Sequence, residues 1–236
     1  MIRPATVSDF LNEVANHPAV RPHVGGDGPI DLTEALAKPG NIGLECDSGG
    51  FFLTQHSPGV YEVHSLFLPD NGTKPIRAMR AAQEWMFTRT DCGVILSKVP
   101  KANKAAKGFA IAGGLAPIFE RDDALLGPCE YVELGVMRWA MRSAYLEAHG
   151  ERFHAFLEQH KTEDIHPHDP AHERAVGAAL LMIERGQDAK GVGFYNSWAM
   201  FAGYQTIELL SPGVVDVRDA VLRLGLDNNM ELVSCQ

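Results

Sequence analysis

The chain has 236 residues, 45% of them hydrophobic, and 21 basic against 30 acidic side chains give a formal net charge of −9. This composition is typical of a soluble globular protein, and the negative charge disfavours binding to nucleic-acid phosphates. The four cysteines form no CxxC pair, which disfavours structural zinc and a redox dithiol. No apolar run approaches the roughly 18 residues of a membrane span. Without a secretory signal, we expect the cytoplasm of a bacterium.

Strand and helix signals alternate along the first 140 residues. Short apolar or alternating stretches predict strands, and apolar residues recurring every three or four positions predict helices. The predicted strands are residues 2–5, 42–46, 50–54, 60–68, 93–99, 116–119 and 130–136. The predicted helices begin near Thr6, Asp31, Pro75 and Asn103. This order predicts an α/β (α+β) domain with one mixed central sheet flanked by helices.

The remaining residues, 141–236, have a different character and form a predicted extension of helices and a β-hairpin. Residues 137–161 have a helical pattern, with an interruption expected at Gly150. Asp169 and Pro170 are a typical cap and first residue of a second helix, and an aromatic-rich helix is predicted over 190–201. Short strands are predicted at 206–210, 214–217, 220–224 and 230–235. We therefore place a domain boundary between residues 140 and 141.

The stretch PDNGTKP, residues 69–75, joins a predicted strand to a predicted helix. Free backbone amides and the positive end of a helix favour an anion at such a junction, so the turn could hold a phosphate. The structural alternative is a tight turn in which Gly72 supplies a positive φ angle. Lys74 could contact a phosphate or remain solvated.

These elements resemble the GNAT (Gcn5-related N-acetyltransferase) family, whose fourth strand leads into a [Q/R]-x-x-G-x-[G/A] loop. Gly72 matches that loop, whereas Pro69 and Lys74 depart from it. The resemblance implies a splayed central sheet and acetyl-CoA as a cofactor, whose pyrophosphate binds at the loop. The implied cofactor-binding residues are Leu68, Asn71, Gly72, Thr73, Lys74 and Asn103.

A second GNAT motif, N-x-x-A-x-x-x-Y-x-x-x-G-F, is matched in part by the helix that starts at Asn103. Ala106 and Gly114 also match, but Ala110 stands where the family often has a tyrosine that protonates the departing thiolate. This departure leaves open whether the chain is an enzyme.

Glu62 and His64 are the candidate catalytic residues. They lie two positions apart on one predicted strand, so their side chains share a face. The resemblance implies a carboxylate base on this strand, and histidine titrates near neutral pH without help. The alternative is two polar residues on the solvated face of a strand.

Three histidines and an aspartate in HPHDPAH (His166, His168, Asp169 and His172) have the donor types of a transition-metal site. Two prolines and the capping role of Asp169 favour a linker and helix start instead. No metal is expected. The aromatic stretch FYNSWAMFAGY, residues 194–204, has no interleaved basic residues and is interpreted as buried against a helix or another subunit.

Nearly the full length resembles phage-encoded GNAT-like proteins with a helical and β extension. The segments that carry this resemblance are NHPAVRP (16–22), GVYEVHSLFLP (59–69), EWMFTRTDC (84–92), HPHDPAHERAVGAALLMI (166–183), FYNSWAMFAGY (194–204) and VVDVRDAVL (214–222). It implies a scaffold or virion component that binds protein partners, as a homo-oligomer or in a phage particle, through residues 141–236. The alternative is an N-acetyltransferase that moves an acyl group from coenzyme A to an amine.

Overall fold

The computed structural model describes residues 1–5, 9–143, 145–151 and 169–202. Several predicted features therefore lie outside the described residues. They are the helix start at Thr6, the helical pattern over 152–161, His166 and His168, and the four strands between residues 206 and 235.

The described residues form seven strands and seven α-helices whose bounds are given below, and residues 145–151 are also helical. The strands are β1 (Arg3–Ala5), β2 (Ile42–Cys46), β3 (Gly49–Ser57), β4 (Val60–Phe67), β5 (Val94–Pro100), β6 (Ala116–Asp123) and β7 (Gly127–Gly135). The helices are α1 (Asp9–Asn16), α2 (Thr33–Leu36), α3 (Lys74–Arg89), α4 (Lys104–Ala112), α5 (Val136–Arg142), α6 (Pro170–Glu184) and α7 (Asp188–Ala202). A 3₁₀ turn at Arg21–His23 was not predicted.

The seven strands form one mixed sheet in the order β1-β2-β3-β4-β5-β7-β6, which confirms the predicted α/β class. Every neighbouring pair is antiparallel except β4 and β5, which are parallel. β4 and β5 pair only from Val60↔Val94 to Glu62↔Leu96, although both strands continue beyond that point. The two strands therefore diverge after Glu62, and we call this point the splay.

Hydrogen bonds close the base of the splay. The Tyr61 hydroxyl donates to Asp91 Oδ1 at 2.6 Å, and the Gly59 amide donates to Asp91 Oδ2 at 3.1 Å. Burial, followed by this contact with Asp91, raises the pKa of Tyr61 above its usual range. Above the splay point, Ser97 Oγ donates to the Val63 carbonyl at 3.3 Å. β4 and β5 are thus held together up to Glu62 and diverge beyond it.

Apolar side chains cover both faces of the sheet. On one face, Leu11 and Val14 of α1 belong to the same buried cluster as Phe52 and Leu66. On the other face, α3 meets the strands around a cavity of about 20 Å³ lined by Phe51, Leu53, Val63, Met79, Ala82, Gln83, Met86, Ile95 and Leu115. Burying one large apolar side chain contributes about 1.5–3 kcal/mol to the free energy of unfolding. The two apolar layers therefore stabilise the sheet that carries Glu62.

The chain divides into two compact units. The first comprises residues 1–87 and 91–136, and the second comprises residues 88–90 and the described part of 137–236. Whether residues 1–140 and 141–236 are separate domains stays a prediction. Asp169 caps α6 by accepting a hydrogen bond from the Ala171 amide at 2.9 Å, as predicted. None of the described helices is long and apolar enough to cross a membrane.

Gly150 is helical, and the predicted interruption of the helix there stays a prediction, because residues 152–161 lie outside the described residues. α5 ends at Arg142, and Gly150 lies inside the helical residues 145–151. A Cβ atom on Gly150 would lie 2.2 Å from the Glu173 carbonyl oxygen of α6. This glycine is therefore required by the close approach of two helices.

Candidate functional site

Glu62 is a buried carboxylate surrounded by basic side chains at the splay. It is 6% exposed. Its Oε2 lies 2.6 Å from His56 Nε2, and its Oε1 lies 3.4 Å from Lys98 Nζ and 3.9 Å from His64 Nε2. A buried carboxylate needs partners of this kind to offset its loss of hydration. The solvated-face interpretation of Glu62 is therefore wrong.

His64 is held between the sheet and solvent. Its ring stacks on Phe52 of β3, with centroids 5.9 Å apart, and its side chain remains 42% exposed. Burial lowers the pKa of His64, Glu62 opposes that shift, and Lys98 reinforces it. The imidazole is therefore mainly neutral at pH 7 and can accept a proton at the splay.

Lys98 of β5 joins Glu62 to a second carboxylate, Asp123 of β6. Its Nζ lies 3.3 Å from Asp123 Oδ2. Burial opposes the shift, but attraction by Glu62 and Asp123 raises the pKa of Lys98. Amide hydrogen bonds from Leu125 and Leu126, and then Lys98 itself, lower the pKa of Asp123. Lys98 is therefore a permanent cation beside Glu62.

The turn before α3 has the form of an amide cradle. Asp70 and Gly72 have φ angles of 61° and 54°, so the predicted positive φ at Gly72 is confirmed. Asn71 Nδ2 braces the turn by donating to the Leu68 carbonyl at 3.1 Å. Within the described part of the chain, the amides of Gly72 and Thr73 donate to no protein acceptor. A Cβ atom on Gly72 would meet nothing within 4 Å, so the turn is open to a ligand.

Of the other predicted cofactor residues, Leu68 and Asn103 make hydrogen bonds within the protein, and Lys74 lines a cavity. The Leu68 amide donates to the Ser48 carbonyl at 3.1 Å. Asn103 caps α4, because its Oδ1 accepts from the Ala106 amide at 2.9 Å. Lys74 and Arg77 line a cavity of about 350 Å³ beside the first turns of α3. The structure thus places the predicted residues in three places: the splay, the turn before α3 and the start of α4.

Aromatic rings narrow the space between the end of β4 and α4. Phe67 contacts Phe109 of α4 with ring centroids 5.9 Å apart, and it also contacts Phe51 at 5.1 Å. Ala110, at the position where the GNAT motif has tyrosine, is 5% exposed. This position of α4 therefore has no tyrosine hydroxyl.

Sequence reasoning missed His56, Lys98 and Asp123. His56 follows the predicted strand 50–54, and Asp123 follows the predicted strand 116–119, whereas both lie within the longer strands observed. Lys98 lies on a strand that was predicted, and its alternation with apolar neighbours is the signal that could have found it.

The histidine-rich segment gives no metal site among the described residues. Asp169 caps α6, and His172 lies 3.2 Å from the Tyr195 hydroxyl and stacks on Trp198. Phe194, Tyr195 and Trp198 are buried, as the aromatic-rich pattern indicated, whereas Phe201 is exposed and the prediction is wrong for that residue. Tyr204 lies outside the described residues.

The strand order, the single parallel β4–β5 pair that splays, and the turn leading into α3 define a GNAT-like acetyltransferase fold. A structure of AAC(6')-Ib in complex with paromomycin and acetyl-CoA matches with a TM-score of 0.51 and 17% identity, covering 61% of this chain and 98% of that one. At this identity the similarity shows the fold.

Two further structures match less well. A spermidine N-acetyltransferase SpeG mutant from Vibrio cholerae has a TM-score of 0.48 and 11% identity, covering 59% of this chain and 96% of that one. A GNAT-family acetyltransferase from Bacillus anthracis has a TM-score of 0.47 and 12% identity, covering 57% and 94%. A comparison with models of protein families finds no match, and no curated protein matches the sequence significantly.

The charges around His64 predict opposite effects of two substitutions on its pKa. In the wild type this pKa should lie below the ordinary value of about 6.5. Lys98→Gln should raise the pKa because it removes a repelling cation, and Glu62→Gln should lower it because it removes an attracting anion. Proton NMR titration of His64 measures both, and shifts of the same sign would contradict this electrostatic account.

The lowered pKa of His64 also fixes the sign of its effect on stability. Below about pH 6.5 the unfolded chain binds more protons at this residue than the folded chain. The contribution of His64 to stability is therefore lost as the pH falls from that value through its folded-state pKa.

Proposed function

We propose that this chain transfers an acyl group from acyl-coenzyme A to an amine. The observation that supports this most is the group formed by Glu62, His64 and Lys98 where β4 and β5 diverge. A gap between parallel strands can admit an extended acyl-bearing arm without disrupting the rest of the sheet. A neutral base at that gap is what attack by an amine requires.

His64 is the base in this proposal, and Glu62 stabilises the imidazolium that forms. The ammonium form of the acceptor loses a proton to the His64 imidazole, and the neutral nitrogen then attacks the thioester carbonyl. The carbon–sulfur bond breaks and the coenzyme thiolate leaves. The second proton that the nitrogen loses reaches the thiolate through water, since Ala110 replaces the tyrosine that the family often uses.

The coenzyme would be held by the turn before α3. The amides of Gly72 and Thr73 and the positive end of α3 suit a pyrophosphate, and Lys74 adds a charge. Leu68 and Asn71 shape this turn, and Asn103 fixes the start of α4 beside the coenzyme arm. Acetyl-CoA is the natural first probe, because it is present in the AAC(6')-Ib complex.

A charge reversal at Lys74 tests the coenzyme site. Acetyl-CoA at about 100 times its Kd should stabilise the wild type by about 2.7 kcal/mol, which thermal unfolding detects easily. Lys74→Glu should weaken binding about tenfold or more, because a carboxylate then faces the phosphates. Lys38→Glu, the same change at an exposed lysine after α2, is the matched control and should retain affinity. Equal affinities for both variants would exclude the turn as the binding site.

Activity is tested by following thiol release from acetyl-CoA with a panel of amines, including polyamines, aminoglycosides and peptide N-termini. Saturable release that requires both substrates would support the proposal. No thermal shift with millimolar acetyl-CoA would refute it.

A second candidate is a non-catalytic scaffold or virion component of a bacteriophage. The contact between Phe67 and Phe109 favours it, because these rings narrow the space beside α4 where the coenzyme arm would lie. Residues 141–236 would then bind protein partners, as a homo-oligomer or in a particle within the host cytoplasm. Mass spectrometry of purified particles and the mass of the protein in solution test this candidate. A monomer that is absent from particles would exclude it.

A further inference from the structure

His56 lies beside Glu62 on the β3–β4 pair. Thr54 is opposite Glu62, and His56 is two residues further along β3, so strand alternation places the side chains of His56 and Glu62 on the same face. A β-bulge lies at this point, because Gln55 is opposite Tyr61 and Ser57 is opposite Val60, which leaves His56 as an extra residue in β3. The His56 imidazole meets the Glu62 carboxylate at 2.6 Å.

The two oxygens of Glu62 have different partners. Oε2 meets His56, whereas Oε1 meets Lys98 at 3.4 Å and faces His64 at 3.9 Å. A carboxylate beside the Lys98 ammonium acts as an acceptor, so His56 Nε2–H donates to it. This bond prevents rotation of the carboxylate about its last torsion angle, which is broad and soft in a free glutamate.

We propose that His56 is a positioning residue for acyl transfer. It fixes the carboxylate of Glu62 so that Oε1 faces His64 when that ring takes up a proton. This inference rests on the proposed function. It adds an outer member to the catalytic group, in the order His56, Glu62, His64.

In the proposed acyl transfer, every bond that forms or breaks and every proton that moves can be followed. The amine nitrogen forms a bond to the acyl carbon with its lone pair, and the carbon–sulfur bond breaks with its electron pair leaving on sulfur. In passing from ammonium to amide, the nitrogen loses two protons. One is accepted by His64 and passes to water, and the other ends on the coenzyme thiol. His56 forms and breaks no bond to substrate.

The test compares two substitutions at His56. His56→Ala removes the donor and should lower kcat about tenfold or more, while KM for acetyl-CoA stays within about twofold of the wild type. His56→Gln can place an amide N–H near the same oxygen and should restore most of kcat. A merely structural role would not produce this split between kcat and KM or a rescue by glutamine. The His56 side chain is 54% exposed, so both variants should fold, which circular dichroism checks.

The outcomes separate this inference from the proposed function. If wild-type protein transfers no acyl group to any amine, the proposed function fails, and this inference fails with it. If the wild type is active and His56→Ala retains its kcat, only the positioning role is overturned. If glutamine and alanine lower kcat equally, the hydrogen bond is not what matters and the inference is likewise overturned.

Discussion

Replacing Glu62 by glutamine should lower kcat for acyl transfer about 100-fold while leaving the affinity for acetyl-CoA close to that of the wild type. Glutamine has the same shape but no charge, so the imidazolium of His64 would form without its nearest anion. Proton transfer by a positioned group contributes about 10²–10⁴-fold to a rate, and this range sets the expected loss. Steady-state kinetics together with calorimetric acetyl-CoA binding separate the two effects.

Glu45→Gln is the matched control for this prediction. Glu45 of β2 is also a largely buried carboxylate of the sheet, paired with the Arg3 guanidinium at 2.8 Å. The same substitution there should leave kcat within about twofold of the wild type. An ion pair with an exposed partner contributes only about 0–1 kcal/mol to stability, and this pair lies away from the splay. Equal losses at Glu45 and Glu62 would indicate a general effect on the sheet and contradict a catalytic role.

The cluster around Glu62 carries little net charge although the chain is strongly acidic. Glu62 and Asp123 share one lysine, and two imidazoles complete the group. The buried carboxylate of Glu62 thus has basic partners on both oxygens, while burial and Lys98 keep the pKa of the neighbouring His64 below its ordinary value.

The fold was predictable wherever a local signal marks the end of an element. Turn residues such as Gly72, and caps such as Asn103 and Asp169, depend on backbone geometry within a few residues, so the sequence pattern reveals them. The ends of β3 and β6 extend further than predicted, because their last residues are polar and are stabilised by pairing with the next strand. The periodicity of a sequence does not reveal the free energy that pairing with a neighbouring strand contributes.

The candidate site was predictable only along one strand. Glu62 and His64 share a face of β4, and strand alternation gives that relation directly. Lys98 and Asp123 reach the site from other strands. His56 shares the face of Glu62 by alternation, but it lies beyond the predicted end of β3, where pairing with β4 extends the strand. Side chains that meet through strand order require the three-dimensional sheet to be known.

Gly177→Ala should destabilise the second unit by about 1–3 kcal/mol. A Cβ atom on Gly177 of α6 would lie 2.2 Å from the Leu146 carbonyl and 3.1 Å from the Gly150 amide, so backbone atoms would have to move apart. Overpacking of this kind costs more than the roughly 1 kcal/mol that alanine gains over glycine inside a helix. Thermal or urea unfolding measures the change.

The matched control for Gly177 is an exposed glycine on the neighbouring helix. A Cβ atom on Gly193 of α7 would meet nothing within 4 Å, so Gly193→Ala should stabilise by about 0.5–1 kcal/mol. Gly150→Ala should be destabilising for the same reason as Gly177→Ala. The double variant should cost less than the sum of the two because both changes separate the same pair of helices. Stabilisation by Gly177→Ala would mean that the helices are not in contact there, and the helix packing that explains Gly150 would then be wrong.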